Sequence, residues 1–316
     1  MTNKKSRNFW IIVGLLFAVT ACSPLLVGQH RFQIEIYGGL SYLSPGDLNL
    51  FSRAEEQYNQ LLYIERHLGW QGYFINDFPR ISNAVPAGFR VKYRISEKFA
   101  VSVEAEGFRR TQEASISGSF SYASGWSLTE AKDYAPYRLS LKGLSVMGGL
   151  HYRFNAWRST ELEVGVAGGW ARAEFDFRST WTYSIELIDP DFIHISEDGG
   201  TLEGDGRGDG FAAKGMLRLN HALGRRFGFF VETSATYCRL KSISGNGRET
   251  RLGIPGETTW EGPWGIKRED IEVSWGSDAV FVPTNYWEGW TAAQRERDFI
   301  LNLSSLRLIL GVYIRL

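Results

Sequence analysis

Two faces of different character, repeated along the chain, constrain this sequence more than any other feature. In residues 31–43, RFQIEIYGGLSYL, the side chains of Phe32, Ile34, Ile36, Leu40 and Tyr42 fall on one side. Gln33, Glu35, Tyr37 and Ser41 fall on the other. Alternation with period two is the mark of a strand with two unlike faces. It recurs in segments 88–95, 99–107, 137–154, 160–171, 211–223, 227–240 and 299–316. The last of these sets Leu306, Leu308, Leu310, Val312, Ile314 and Leu316 against Ser305, Arg307, Ile309, Gly311, Tyr313 and Arg315. A soluble sheet would have to cover such an apolar face with a second layer.

Composition points the same way. Aromatic residues make up 14% of the 316 residues and there are 35 Gly, which suits an all-β protein with tight turns. Mean hydropathy is −0.22, and no segment after the first has the ~20 apolar residues of a spanning helix. A membrane location would therefore have to come from alternating strands. Lys and Arg number 35 and Asp and Glu also 35, so no basic surplus marks a nucleic-acid surface.

The connections alternate in length. Segments join through short turns near 96–98, 155–159 and 224–226, and through long stretches at 44–87, 108–136, 178–210 and 241–298. Short turns at one end and long loops at the other describe an up-and-down meander, as in barrels with short periplasmic turns and long extracellular loops. Closing eight antiparallel strands into a ring leaves no edge and lets the apolar faces meet lipid. The expected fold is thus a closed, antiparallel, up-and-down transmembrane β-barrel over residues 31–316, with both termini periplasmic. Ten strands result if a hairpin through IEVSW and AVFV in the last loop reaches the membrane. Stretches 139–154 and 301–316 align without gaps, and in both the apolar parity shifts by one, from Leu141 to Leu144 and from Leu303 to Leu306. That shift predicts a β-bulge in each.

Residues 1–21 read as a signal peptide, with Lys4, Lys5 and Arg7 ahead of the apolar run FWIIVGLLFAV. The following VTAC resembles a bacterial lipoprotein signal, which implies lipid attachment at Cys22, although Leu is usual where Val19 stands. Ordinary cleavage after Ala21 fits equally. Residues 22–30 then form a linker. The chain has two Cys, Cys22 and Cys238, so no disulfide framework is expected.

Gly311, Ile314 and Leu316 resemble the C-terminal assembly signal of outer-membrane barrels, with Leu316 where Phe is usual. Architecture and ending together resemble the small OmpA/OmpX-like eight-stranded barrels. The resemblance implies a bacterial outer-membrane location, contact with outer-membrane lipid and lipopolysaccharide, and delivery by the barrel-assembly machinery.

The inward parity carries Glu35, Glu104, Glu106, Glu161, Glu163 and Glu232. It also carries Arg90, Lys92, Arg94, Arg153, Lys214, Arg218, Arg307 and Arg315. The short turns place Arg90 and Lys92 beside Glu104 and Glu106, Arg153 across from Glu161 or Glu163, and Arg218 near Glu232. Such a set can line a polar pore or fill the lumen as an ion-pair network. The width of an eight-stranded barrel, with Tyr313 and Phe230 also inward, favours filling. Tyr42, Phe99, Phe154, Trp157 and Phe227 suit interfacial girdles, with Trp170, Trp181 and Tyr183 further out.

In the loops, 47–69 has mixed helical spacing and predicts a helix resting on the barrel. The stretch 189–210 gathers Asp189, Asp191, His194, Glu197, Asp198, Asp205 and Asp209 among glycines. Its spacing completes no calcium-loop pattern, so it reads as a solvated, mobile loop, and RGD at 207–209 as coincidence. The last loop carries Trp260, Trp264, Trp275, Trp287 and Trp290, a cluster that folds the loop or offers a sugar-stacking surface. Small barrels that trim lipid A use a His-x-Ser pair with a Glu. Here His194, Ser196 and Glu197 lie in the acidic stretch, and His151 faces inward without a Ser two residues on. The expectation is a non-enzymatic barrel with no cofactor or metal and a structural or surface-binding role carried by its loops toward an unidentified extracellular ligand. A porin-like small-solute channel is the alternative, and a lipid A-modifying enzyme stands behind both.

Overall fold

A computed structural model describes residues 31–49, 71–76, 80–157, 159–253, 255–271, 275–283 and 297–316. The signal segment, Cys22, the linker, most of the expected helix (50–69), Trp287 and Trp290 lie outside the described residues. Strands dominate: β1 (Phe32–Leu43), β2 (Gln71–Asn76), β3 (Asn83–Ala84), β4 (Ala87–Arg94), β5 (Phe99–Ser124), β6 (Ser127–Trp157), β7 (Thr160–Asp189) and β8 (Phe192–Ala222). There follow β9 (Phe227–Leu240), β10 (Ser244–Arg251), β11 (Glu257–Ile271), β12 (Trp275–Pro283), β13 (Arg297–Asp298), β14 (Leu301–Asn302) and β15 (Ser305–Arg315).

Eight of these close a ring. Each of β1, β4, β5, β6, β7, β8, β9 and β15 is antiparallel to the next, and β15 pairs back to β1. From Gln33 the ladder steps across Lys92, Ser102, Gly149, Ala167, Lys214, Thr236 and Ser305, and returns to β1 at Leu43. The ring is therefore staggered by ten residues (43 minus 33). Stagger of this kind obliges the strands to tilt and leaves an interior that side chains can fill. Eight strands complete the circle, so the ten-strand alternative is set aside.

The outer face of the ring is apolar. Ile36, Leu40, Val103, Leu150, Val166, Leu217, Val231, Leu308 and Leu310 are all exposed. Aromatic pairs edge this belt at the short-turn end: Phe32 with Tyr93 at 5.0 Å, Phe99 with Tyr152 at 4.9 Å and Tyr152 with Phe154 at 4.7 Å between ring centroids. Tyr42, Trp170, Phe211 and Tyr237 edge it at the other end. Nothing in the described chain covers this surface, and hydrocarbon is the medium it fits.

Beyond the upper edge the strands do not stop. The expected loops 108–136 and 178–210 are strand instead. β5 and β6 stay paired to a two-residue turn at Gly125, whose φ is 61°, and β7 and β8 to Asp189 and Phe192. The Asp189 carboxylate accepts the amide of Asp191 at 3.2 Å and closes that second turn. β2, β10, β11 and β12 join these arms, giving a curled sheet in the order β2-β5-β6-β7-β8-β10-β11-β12. β10 continues β9 along β8. Six residues (238 to 244) span what five (212 to 207) span on β8, and Ser242 takes a φ of 59° at the kink. β11 pairs with β12, and in that ladder Ile271 lies opposite Trp275, so IEVSW does not form one arm.

The first expected bulge is absent: β6 runs past Leu141 and Leu144 without a register shift. The second has a counterpart: the β14–β15 line keeps register with β9, but against β1 four steps (301 to 305) face three (43 to 46). Leu139 and Leu141 point inward and are buried, while Leu144 and Val146 point outward and are exposed. The strand keeps its alternation; what changes is which face is apolar.

Above the membrane belt the inside is an apolar core of Leu139, Leu141, Phe175, Phe177, Leu240 and Ile243. Alternate glycines make room for its rings. A Cβ at Gly204 would strike Phe177, and one at Gly206 would strike Phe175. This explains GDGRGDG as a strand: its glycines face inward under large side chains, and Arg207 and Asp209 face out. Leu48, Ile81 and Phe299 seal the remaining side, each 1% exposed or less. Asn49 holds this seal by a reciprocal pair of bonds with the Ile81 backbone (3.1 and 2.9 Å), and Asp47 by accepting the Ile300 amide at 2.8 Å.

Candidate functional site

Alternation inside the ring points charged side chains from every wall at one another. Arg90 on β4 meets Glu104 on β5 (2.6 Å), Glu35 on β1 (3.1 Å) and Glu232 on β9 (2.9 Å). Lys92 meets Glu163 (2.5 Å) and Glu35 (3.2 Å), and Arg218 meets Glu35 at 2.5 Å. Lys214 bridges Glu104 (3.2 Å) and Glu232 (3.1 Å). Each of these side chains is 1% exposed or less. Arg307 pairs with Glu106 nearer the upper edge. At the short-turn end, Arg153 and Arg315 approach the partly exposed Glu161 at 3.5 and 3.2 Å. Arg94 reaches the same mouth and has no ion-pair partner among the described residues.

The structure thus brings the sequence-derived interior residues together, with two differences in pairing. Lys92 lies across from Ser102 and reaches Glu163 and Glu35 rather than Glu106. Glu106 lies across from Gly88 and takes Arg307. Arg153 lies directly opposite Glu163, and Arg218 directly opposite Glu232. Buried charges are tolerated only when paired, and removing one partner of such a pair costs about 3–5 kcal/mol.

Aromatic groups fill what the charges leave. The Arg218 guanidinium lies 3.5 Å over the Phe230 ring, and that of Arg90 lies 5.4 Å from the Tyr37 ring. Gly311 sits beneath Phe230, where a Cβ would collide with the ring, so its inward position has a packing reason. Ile314 and Leu316 face outward and are exposed.

One arrangement was not legible from local spacing. Ser102 Oγ lies 2.7 Å from His151 Nε2, and His151 Nδ1 lies 2.8 Å from Glu163 Oε1. The residues come from β5, β6 and β7 and are all buried. The order hydroxyl–imidazole–carboxylate is that of a nucleophilic relay. Here Glu163 also binds Lys92, and the space around the imidazole is set by Gly149 and Gly165, whose added Cβ atoms would crowd it. The three side chains are enclosed by their neighbours, leaving no room for a reacting carbonyl. The inward parity of Ser102 and His151 was the available signal. The His194–Ser196–Glu197 combination fails on geometry: all three are exposed on β8 near its turn, and alternation turns Glu197 to the opposite face.

Outside, the curled sheet carries two open clefts. One, of about 790 Å³, is lined by Asp176, Arg178, Glu203, Asp205, Arg248 and Glu261. Glu203 is clamped there by Arg178 (3.1 Å) and Arg248 (2.7 Å), and that contact holds the Arg248 guanidinium above its ordinary pKa. The other, of about 590 Å³, lies toward the tip and includes Asp133, Tyr134, Thr180, Thr182, Thr201 and Thr250. Burial raises the Asp133 carboxyl above its usual value. The acidic residues of 189–210 are spread along β7 and β8 apart from Asp191 in the turn between them, and no metal-binding group of three or more ligands occurs among the described residues.

No family model matches this chain, and no curated protein does. Solved structures with a similar course of strands include Neisserial surface protein A (10% identity, 90% of this chain and 97% of that one, TM-score 0.31). The outer membrane protein OprG from Pseudomonas aeruginosa aligns at 9% identity over 91% and 97%, with a TM-score of 0.30. The outer membrane protease OmpT from Escherichia coli aligns at 8% identity over 90% and 96%, with a TM-score of 0.32. The fold itself rests on the hydrogen-bonded ring: eight antiparallel strands sheathed in apolar side chains around a charged interior, the architecture of the small outer-membrane β-barrels.

Proposed function

We propose that this chain is a bacterial outer-membrane barrel with a closed lumen, whose work is done by the curled sheet above the membrane. One observation carries this reading. The ring's interior is occupied twice, first by the paired charges around Glu35 and Arg90 and then, above them, by the apolar cluster that packs Leu48, Ile81 and Phe299 against Phe175, Leu240 and Ile243. A pore needs a continuous column of water, and two buried layers across the lumen argue against one. The exposed clefts and polar outer face of the sheet are then the surface on offer to an extracellular ligand. Lipopolysaccharide would surround the belt, the assembly machinery would read Gly311, Ile314 and Leu316, and the short turns and both termini would face the periplasm. No catalytic role is assigned.

The test is single-channel recording of the refolded full chain in a planar bilayer, with a Glu104→Ala/Glu106→Ala variant beside it. Silence from both, with folding confirmed by heat-dependent gel mobility, is the expected result. Reproducible conductance steps in the parent that change in the variant would overturn the closed lumen in favour of a small-solute channel.

A further inference from the structure

The interior charges separate into three tiers. In the middle, Glu35, Glu104, Glu163 and Glu232 face Arg90, Lys92, Lys214 and Arg218, four against four. Above them Glu106 and Arg307 form a single pair. At the short-turn mouth Arg94, Arg153 and Arg315 face Glu161, and Arg153 also reaches Glu163 of the middle tier at 3.3 Å; the two tiers together set seven cations against five carboxylates, a surplus of two. Glu163 does not remove the surplus, because it is shared among Lys92 at 2.5 Å, His151 at 2.8 Å, Asn220 at 3.3 Å and Arg153 at 3.3 Å.

The three guanidiniums come from β4, β6 and β15 and converge on one opening. Arg153 is 4% exposed, yet its Nε and Nη1 complete no hydrogen bond, and neither does Arg315 Nε. Their nearest carboxylate oxygens stand at 3.3 and 3.5 Å from Arg153 in poor alignment. Forked donors with unused N–H groups and a surplus of two charges match a tetrahedral oxyanion. Lys98, Arg225 and Arg226 are exposed on the short turns beside a single exposed carboxylate there, Glu97, and leave the approach positive.

We propose that the mouth formed by Arg94, Arg153 and Arg315 binds a phosphate group. Two sources share this chemistry: the headgroup of an anionic phospholipid in the adjoining leaflet, or a free phosphate in the compartment the mouth faces. The site does not depend on whether the lumen conducts.

The refolded full chain, in zwitterionic micelles and folded by gel mobility, is titrated with inorganic phosphate by calorimetry. In parallel it is reconstituted in phosphatidylcholine nanodiscs containing a minority of phosphatidylglycerol, and the lipid retained after detergent extraction is measured by native mass spectrometry. Saturable binding of inorganic phosphate supports a soluble source; retention of phosphatidylglycerol without it supports a headgroup. In whichever arm responds, Arg94→Gln and Arg315→Gln each weaken binding at least about tenfold, as loss of a charge-assisted pair requires. Glu161→Gln strengthens binding severalfold, an effect opposite to that of a damaged fold, and Lys98→Gln leaves the stoichiometry unchanged. The proposal is overturned if neither probe binds, if Lys98→Gln costs as much as Arg315→Gln, or if Glu161→Gln has no effect.

Discussion

Below the level of Trp170 and Tyr237 the barrel is polar inside and apolar outside; above it, the same strands are apolar inside and polar outside. β6 crosses the boundary between Leu141 and Leu144, and β7 between Phe175 and Val166, without a break in pairing. Backbone geometry fixes only that successive side chains point to opposite faces. The surroundings decide which face is apolar: lipid selects leucine and valine on the outside of the ring, and water selects Thr180, Arg178 and Asp176 on the outside of the sheet. The membrane boundary is written in this chain as a change of phase in its hydrophobic pattern.

Substitutions can sharpen or break this contrast. The largest effect is expected at Glu35, which faces Arg90, Lys92 and Arg218. Glu35→Ala should lower the unfolding free energy of the refolded barrel by about 3–5 kcal/mol, because three cations lose a shared carboxylate. Urea unfolding followed by tryptophan fluorescence measures it, and a loss below about 1 kcal/mol would mean the network is slack. Leu141→Ala, in the apolar core above, should cost about 2–5 kcal/mol. Its loss should appear first as proteolysis of the sheet while the ring keeps its gel mobility. Simultaneous collapse of both would show that the two regions unfold as one.

The outward positions differ more subtly. Val103→Arg, on the lipid belt, should cost about 2–4 kcal/mol. Thr180→Arg, outward on the sheet, should stay within about 0.5 kcal/mol. Equal costs in the same unfolding assay would dissolve the boundary drawn here. The smallest effect concerns Asp133, whose carboxyl is raised by burial. A raised carboxyl makes the folded sheet prefer the protonated form, so stability is greatest below the unfolded value and falls as pH rises through the folded one. Asp133→Asn should therefore protect the sheet from proteolysis at neutral pH, and the difference should vanish below about pH 4. A difference that grows on acidification would reverse the assignment.

The eight ring strands were legible because their inner and outer residues differ sharply in kind, as in Ile34 against Glu35. The strands above were not, for a physical reason. GGTLEGDGRGDG is poor in β-branched residues, and glycine there is required by Phe175 and Phe177 on the neighbouring strand rather than by a turn. Glycine at every second position was the signal, and it means a strand only once its partner is known. The bulge expected in β6 fails similarly: its apolar run changes parity because the surroundings change, while the backbone keeps its register. Among interior charges, Arg218 with Glu232 followed from the short turn between them. Contacts across the lumen, such as Lys92 with Glu163, depend on the ten-residue stagger, which no single hairpin reveals.

The seam between β1 and β15 has a kinetic meaning. Its ladder joins Gln33 to Arg315 and Leu43 to Ser305, so the pairing that completes the ring is also the one with the greatest separation along the chain. Seven strands can meander into place through neighbours, but until 305–315 arrives both β1 and β9 are open edges. Loop-closure entropy makes such a contact slow, and an open edge invites pairing with other chains. Folding of this barrel is therefore expected to be gated by its last strand, with every earlier intermediate an unsealed sheet that the membrane cannot yet hold.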